Sequence, residues 1–131
     1  MAQHKQRVIL KLSGEALGEN GKLFKHEAFE AAARMLMTVQ QSGAELAVVI
    51  GGGNVWRGRR GAATRMGAVA ADQMGMLATL QNCLYMRDTL AAMGAKAVVM
   101  SAVDVLRFAD AYNSVRASEL LSQGVILLLA C

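Results

Sequence analysis

Proline is absent from the 131 residues, where an ordinary chain carries about 5%, and aromatic residues make up only 5%. Neither shortage has a physical explanation within the sequence itself. Other absences exclude more. The only cysteines, Cys83 and Cys131, stand too far apart for a metal-ligand spacing, and nothing secretory accompanies them, so no disulfide is expected. A reduced, cytoplasmic setting is the simplest expectation. The Met1 to Arg7 segment is polar and basic without an apolar signal core, and no apolar run is long enough to span a bilayer. Membrane insertion is therefore not expected. The pattern Gly-x-x-x-x-Gly-Lys-Ser/Thr does not occur, which excludes a P-loop. There is no internal repeat and no linker.

What is present suits one globular domain: 54% hydrophobic residues and 18% charged. The net charge of +4 at pH 7 permits an anionic ligand but speaks to association rather than fold. The alternation of patterns predicts β-α-β-α-β-α-β. Arg7–Leu12 reads as a strand with one lysine, Glu27–Gln41 as a helix stopped by Ser42-Gly43, and Glu45–Ile50 as a strand covered on both faces. A long helix, from about Ala68 to Met93, is apolar on more than one side and closes at Gly94. It is expected to pack on the sheet and on something else, with Met74, Met76, Met86 and Met93 as packing residues. Lys96–Met100 is a third strand, followed by a loop or short helix to Phe108. Ser114–Ser122 is a helix with Ser114 as its N-cap, and Val125–Ala130 is the last strand. Such alternation argues an α/β fold, a parallel sheet covered by helices in one domain. The chain stops at the end of an apparent central strand, so a fragment is expected.

The chemistry concentrates after the first two strands. Lys11 is followed by Ser13-Gly14, and Ile50 by Gly51-Gly52-Gly53-Asn54 with Arg57 close behind. Glycine lets backbone N–H groups approach a ligand, and Asn54 and Arg57 add an amide and a planar fork of donors suited to phosphate. A tight turn after a buried strand accounts for the glycines equally well, and a snorkelling lysine for Lys11. A βαβ crossover would bring both strand ends to one sheet edge, where ligands of open α/β sheets bind, and the two signals then reinforce each other. His26 reads as a helix-start residue rather than a base. Asp72 suits either the helix macrodipole or the hydroxyls of a sugar. Four arginines, Arg57, Arg59, Arg60 and Arg65, lie in a glycine-containing segment with no acid until Asp72. A nucleic-acid surface usually interleaves aromatic residues, and Trp56 is alone here.

Three stretches together, Lys11-Leu12-Ser13-Gly14-Glu15-Ala16-Leu17, Gly51-Gly52-Gly53-Asn54-Val55-Trp56-Arg57-Gly58 and Ala71-Asp72-Gln73-Met74-Gly75-Met76-Leu77-Ala78-Thr79, resemble bacterial uridylate kinases of the amino acid kinase superfamily. Met86-Arg87-Asp88 and Met100-Ser101-Ala102 are further matches. The resemblance runs through nearly all of this chain but covers little more than half of a typical family member. It implies transfer of the ATP γ-phosphoryl group to UMP, with magnesium. The implied ATP contacts are Lys11, Leu12, Ser13, Gly14, Gly53 and Arg57, with Lys11 also catalytic, neutralising charge as the phosphoryl group moves. Gly52 and Asp72 are the implied UMP contacts; no protein metal ligand is implied. Homohexamers built from dimers are implied as well; on the residues themselves no membrane partner is expected and nucleic acid is the less favoured partner. Ala71 departs from the family, where a glycine commonly precedes the aspartate. Because the expected UMP-closing loop and the half that binds adenine and ribose are missing, the isolated chain is expected to show no kinase activity. A carbamate or amino acid kinase fits the Asp72–Met76 stretch less well. The alternative outside this enzyme class is a non-catalytic module for anion or nucleic-acid binding, or for assembly.

Overall fold

The most apolar segment lies at the centre of the sheet. In the computed structural model, which describes residues 5–19, 21–57 and 65–131, strand β5 (Ile126–Ala130) runs between β2 (Glu45–Ile50) and β3 (Ala97–Ser101). Strand β1 (Arg7–Leu12) and the two-residue β4 (Asp110–Ala111) form the edges, and the order β1-β2-β5-β3-β4 is parallel throughout. A central parallel strand is covered on both faces, which is why β5 is an unbroken apolar run. The sheet has five strands where four were expected. Strand β4 is short, exposed and partly acidic, and gives no periodic signal of its own.

Helices α1 (His26–Gln41) and α2 (Ala68–Ala92) cover one face, and α3 (Ser114–Ser122) covers part of the other. On the first face Leu46, Val48, Ile50, Ile126 and Leu128 meet Phe29, Ala33 and Leu36 of α1 and Leu80, Cys83, Met86 and Leu90 of α2. On the second, Ala47, Leu127 and Met100 meet Ala117, Leu120 and Leu121 of α3. These are the three layers of an α/β sandwich. With only nine residues, α3 falls short of the sheet's β1 side. Ile9 is 68% exposed and Val49 37% exposed, so β2 is covered on both faces at Ala47 but not at Val49, contrary to the expectation for the whole strand.

Local signals place most helix boundaries. Each helix is followed by a glycine at positive φ: Gly43 at 101°, Gly94 at 87° and Gly124 at 79°. That backbone conformation favours glycine and ends a helix by turning the chain away. The cap of α3 differs from the expectation: Asn113, not Ser114, is the N-cap, its side chain accepting from the Arg116 N–H at 2.9 Å. An asparagine oxygen reaches that N–H as well as a serine does, and the helix starts one residue earlier in register. His26 opens α1, where its ring bonds Tyr85 Oη at 3.0 Å and pairs with Glu30 at 2.9 Å. Of the four methionines assigned to packing, Met86 is buried and Met93 packs against the core, whereas Met74 is exposed with Val69 and Leu77. The first turns of α2 thus leave an apolar face uncovered. Among the described residues, no helix is long and apolar enough to cross a membrane.

Both cysteines are free thiols. Burial first, and then the neighbouring Cys131, push the Cys83 thiol up to about 12, while Cys131 is only half-buried. A thiol held protonated and enclosed does not supply the reactive thiolate. At pH 8 a colorimetric thiol reagent should therefore titrate Cys131 in the native chain and Cys83 only after denaturation; two rapidly reacting thiols would contradict this packing.

Candidate functional site

Strands β1 and β2 are paired in register from Arg7 opposite Glu45 to Leu12 opposite Ile50, so both end at the same level. Beyond that line the Gly51 N–H donates to Leu12 O at 2.8 Å, carrying the pairing one residue further. The chain then turns on both sides: Gly14–Leu17 forms a 3₁₀ turn, and the Val55 and Trp56 N–H groups both donate to Gly52 O at 3.0 Å. The turns pack backbone against backbone. A Cβ at Gly14 would lie 2.4 Å from Gly51 O and 2.7 Å from Gly53 N, closer than any side chain permits. A Cβ at Gly52 would meet Ala78 Cβ at 2.8 Å and Thr79 N at 3.1 Å on α2. These glycines are required by close approach, since neither stands at positive φ.

Leu12, Gly14, Gly52 and Gly53 are thereby gathered into one constellation. Arg57 joins it: its Nε donates to Gly53 O at 2.8 Å, and a terminal nitrogen lies 3.5 Å from Glu15 Oε1. Both partners of that ion pair are about half exposed, so it is weak and exchangeable for another anion. Glu15, Lys22, Gly53, Asn54 and Arg57 line a cleft of about 450 Å³. Ser13 is exposed and accepts from the Ala16 N–H at 3.2 Å. Lys11 is exposed opposite Val49, on the sheet face that α3 leaves open. A second cavity, about 330 Å³, begins there and is lined by Val49, Thr79, Tyr112 and Leu129. Among the described residues, the Gly52 and Gly53 N–H groups have no acceptor. Two such amide donors, with Arg57 held at Gly53 O, can neutralise and align phosphate oxygens.

Asp72 is exposed in the second turn of α2. Its neighbourhood is tied to the glycine loop by Trp56, whose Nε1 donates to Ala71 O at 2.9 Å. Ala71 itself is buried, so the methyl that departs from the resemblance packs inward while its carbonyl holds the loop. Trp56 is thus a tether rather than a stacking platform. Gly58, Arg59 and Arg60 lie outside the described residues. A cavity of about 580 Å³ lies between α1 and α2 around Phe24, His26 and Tyr85. It is the wrong chemistry for phosphate: aromatic and acidic, with Glu30 and Asp88 on its wall.

Asn54 departs from its expected role. Its amide is engaged within the fold, donating to Leu23 O at 2.8 Å and to Asn82 Oδ1 at 3.0 Å, rather than presented to a ligand. Asn82, fully buried on α2, was not anticipated. It donates to Gly51 O and to Asn54 Oδ1, each at 2.7 Å. The available signal was its helical position: one turn from Ala78 and one from Met86, it puts a carboxamide on the core stripe of α2.

Residues 6–131 match the Amino acid kinase family. Uridylate kinases of Frankia casuarinae and Frankia alni are each 41% identical to the chain, over 96% and 100% of its length. The chain spans about half the length of these curated relatives, 49% and 52% respectively. The UMP kinase structure from Bacillus anthracis superimposes with a TM-score of 0.90 at 32% identity, covering 95% of this chain and 52% of that one. The UMP kinase structure from Ureaplasma parvum, at 24% identity and a TM-score of 0.91, matches the fold over 98% of this chain and 55% of its own.

The glycine contacts predict opposite signs for two alanine substitutions. Gly14→Ala should lower the urea unfolding free energy by about 2 kcal/mol or more, because backbone must move to admit the methyl. Gly75→Ala, inside α2 with Trp56 Cδ1 at an ordinary 3.9 Å, should raise it by about 0.5–1 kcal/mol. Equal effects would show that the Gly14 contact is not tight.

Proposed function

The chain belongs to the amino acid kinase family, and we propose that it carries the phosphate-aligning part of an enzyme that transfers the γ-phosphoryl group of ATP to UMP, giving UDP and ADP. The observation that supports this best is the backbone contact between Gly14 and Gly51–Gly53, which joins the Lys11–Gly14 turn to the glycine loop. In this reading Lys11, Leu12, Ser13, Gly14, Gly53 and Arg57 meet ATP, and Gly52 and Asp72 meet UMP. The acceptor phosphate is already ionised, so the reaction needs alignment and charge stabilisation more than a base. Lys11 supplies a compact charge able to follow oxygens as they shift, and the Gly52 and Gly53 N–H groups supply fixed donors. Arg57, held at Nε by Gly53 O, would exchange Glu15 for a phosphate.

Magnesium would enter with ATP. Among the described residues, no three acidic, cysteine or histidine side chains come together as a ligand set. Mg²⁺ suits that situation, since it keeps several waters and binds mostly through substrate phosphates, whose charge it would offset. A cytoplasmic homo-oligomer, using the exposed apolar turns of α2 around Val69 and Leu77, completes the proposal.

Ligand-induced stabilisation tests the substrates: in this sequence extended to the length of its relatives, UMP, and ATP with magnesium, should each raise the melting temperature, with about 2.7 kcal/mol gained at a hundredfold excess over Kd. Indifference to both nucleotides, with retention on nucleic acid that falls steeply with salt, would overturn the kinase reading in favour of a nucleic-acid module. Where UDP formation is assayed, Asp72→Asn should raise the UMP requirement more than the ATP requirement. Equal effects on the two substrates would remove Asp72 from its assigned role.

A further inference from the structure

Asn82 is a primary amide enclosed on the core side of α2, where an unpaired polar group would cost far more than an apolar side chain of similar volume. Its hydrogen bonds link three segments: Gly51 of the glycine loop, Asn54 at the far side of that loop, and through Asn54 the backbone of Leu23. The bond to Gly51 O has a directional consequence. In a planar trans peptide the C=O of one residue and the N–H of the next point in opposite directions. A Gly51 carbonyl held towards α2 therefore turns the Gly52 N–H away from α2. The preceding peptide is fixed as well, by the Gly51 N–H on Leu12 O. Without such ties, three successive glycines would be the loosest backbone in the chain.

We propose that Asn82 is a positioning residue for the glycine loop: its carboxamide orients the Gly51–Gly52 peptide so that the Gly52 N–H stays aimed at phosphate, and Asn54 couples that orientation to Leu23. The phosphate in this statement rests on the kinase reading; the orienting role does not. A merely space-filling side chain at this position would contribute to global stability and leave the local order of Gly52 untouched. Asn54→Ala and Asn82→Leu should also differ, because only the second removes the bond to Gly51 O.

The test is ¹⁵N relaxation on the labelled 131-residue chain without ligand, followed by titration of this sequence, extended to the length of its relatives, with ATP and magnesium. In the unsubstituted chain Gly52 and Gly53 should be as rigid as strand backbone, with order parameters near ~0.85. In Asn82→Leu the Gly52 value should drop below ~0.6 while β2 and the flanking turns of α2 keep theirs, and in the extended sequence ATP affinity should fall about tenfold. Asn82→Ser, too short to reach Gly51, should give the same local loss and serves if the leucine variant does not fold. Asn54→Ala should loosen Leu23 and leave Gly52 rigid. Unchanged order at Gly52 in the Asn82 variants would overturn the proposal. Loss of order in those variants with no ATP response in this sequence extended to the length of its relatives would uphold the orienting role and count against the kinase reading alone.

Discussion

Two turns can touch backbone to backbone only where neither has a side chain, and the Gly14 contact with Gly51 and Gly53 is such a place. Everything the candidate site contains depends on it. The contact requires that β1 and β2 end level, and their six-residue register makes them do so. It requires a support below the loop, which α2 supplies at Gly52 through Ala78 and Thr79. The result places loop amides without acceptors among the described residues beside Arg57, at the edge of a cleft of about 450 Å³. Fixed donors of this kind need no rearrangement when charge arrives, which is what makes them effective for phosphoryl groups.

Helix α2 is the part of the fold that holds this arrangement. One of its faces completes the core through Leu80, Cys83, Met86 and Leu90. From the same helix Asn82 grips Gly51, Ala71 O receives Trp56, and the Thr79 hydroxyl accepts from the Cys131 N–H at 2.9 Å. The ends of β2 and β5 and the Gly51–Trp56 turn are therefore all tied to one helix. Packing and site geometry are inseparable here: the residues that bury the sheet sit one turn from those that set the loop. On the other face α3 is too short to reach β1, which leaves Lys11 in the open beside Val49.

Much of the fold was legible in the sequence because its signals are local. Apolar runs and helical spacing mark β1, β2, α1 and α2, and glycines at positive φ end all three helices where the pattern stops. The position of β5 between β2 and β3 was not legible, since strand order is settled by long-range pairing rather than by any property of Ile126–Ala130 alone. Strand β4 was missed because two exposed residues carry no period. In the site, the glycines and Arg57 were read from composition and spacing and do converge. Asn54 was misassigned because an amide looks alike whether it serves a ligand or the fold. Asn82 was missed because its importance comes from the turn it faces, 31 residues away in sequence. The match of residues 6–131 to the amino acid kinase family agrees with the three stretches on which the resemblance was based.

The central claim is that the Gly14 turn and the glycine loop form one phosphate-aligning surface. Amide chemical-shift mapping of ATP with magnesium, and separately of UMP, on this sequence labelled and extended to the length of its relatives tests it most directly. The largest shifts should fall on Gly14, Gly52 and Gly53, with Asp72 responding to UMP and Arg57 to ATP. Shifts concentrated instead around Phe24, Tyr85 and Thr89 in the cavity between α1 and α2, with the glycines silent, would contradict it.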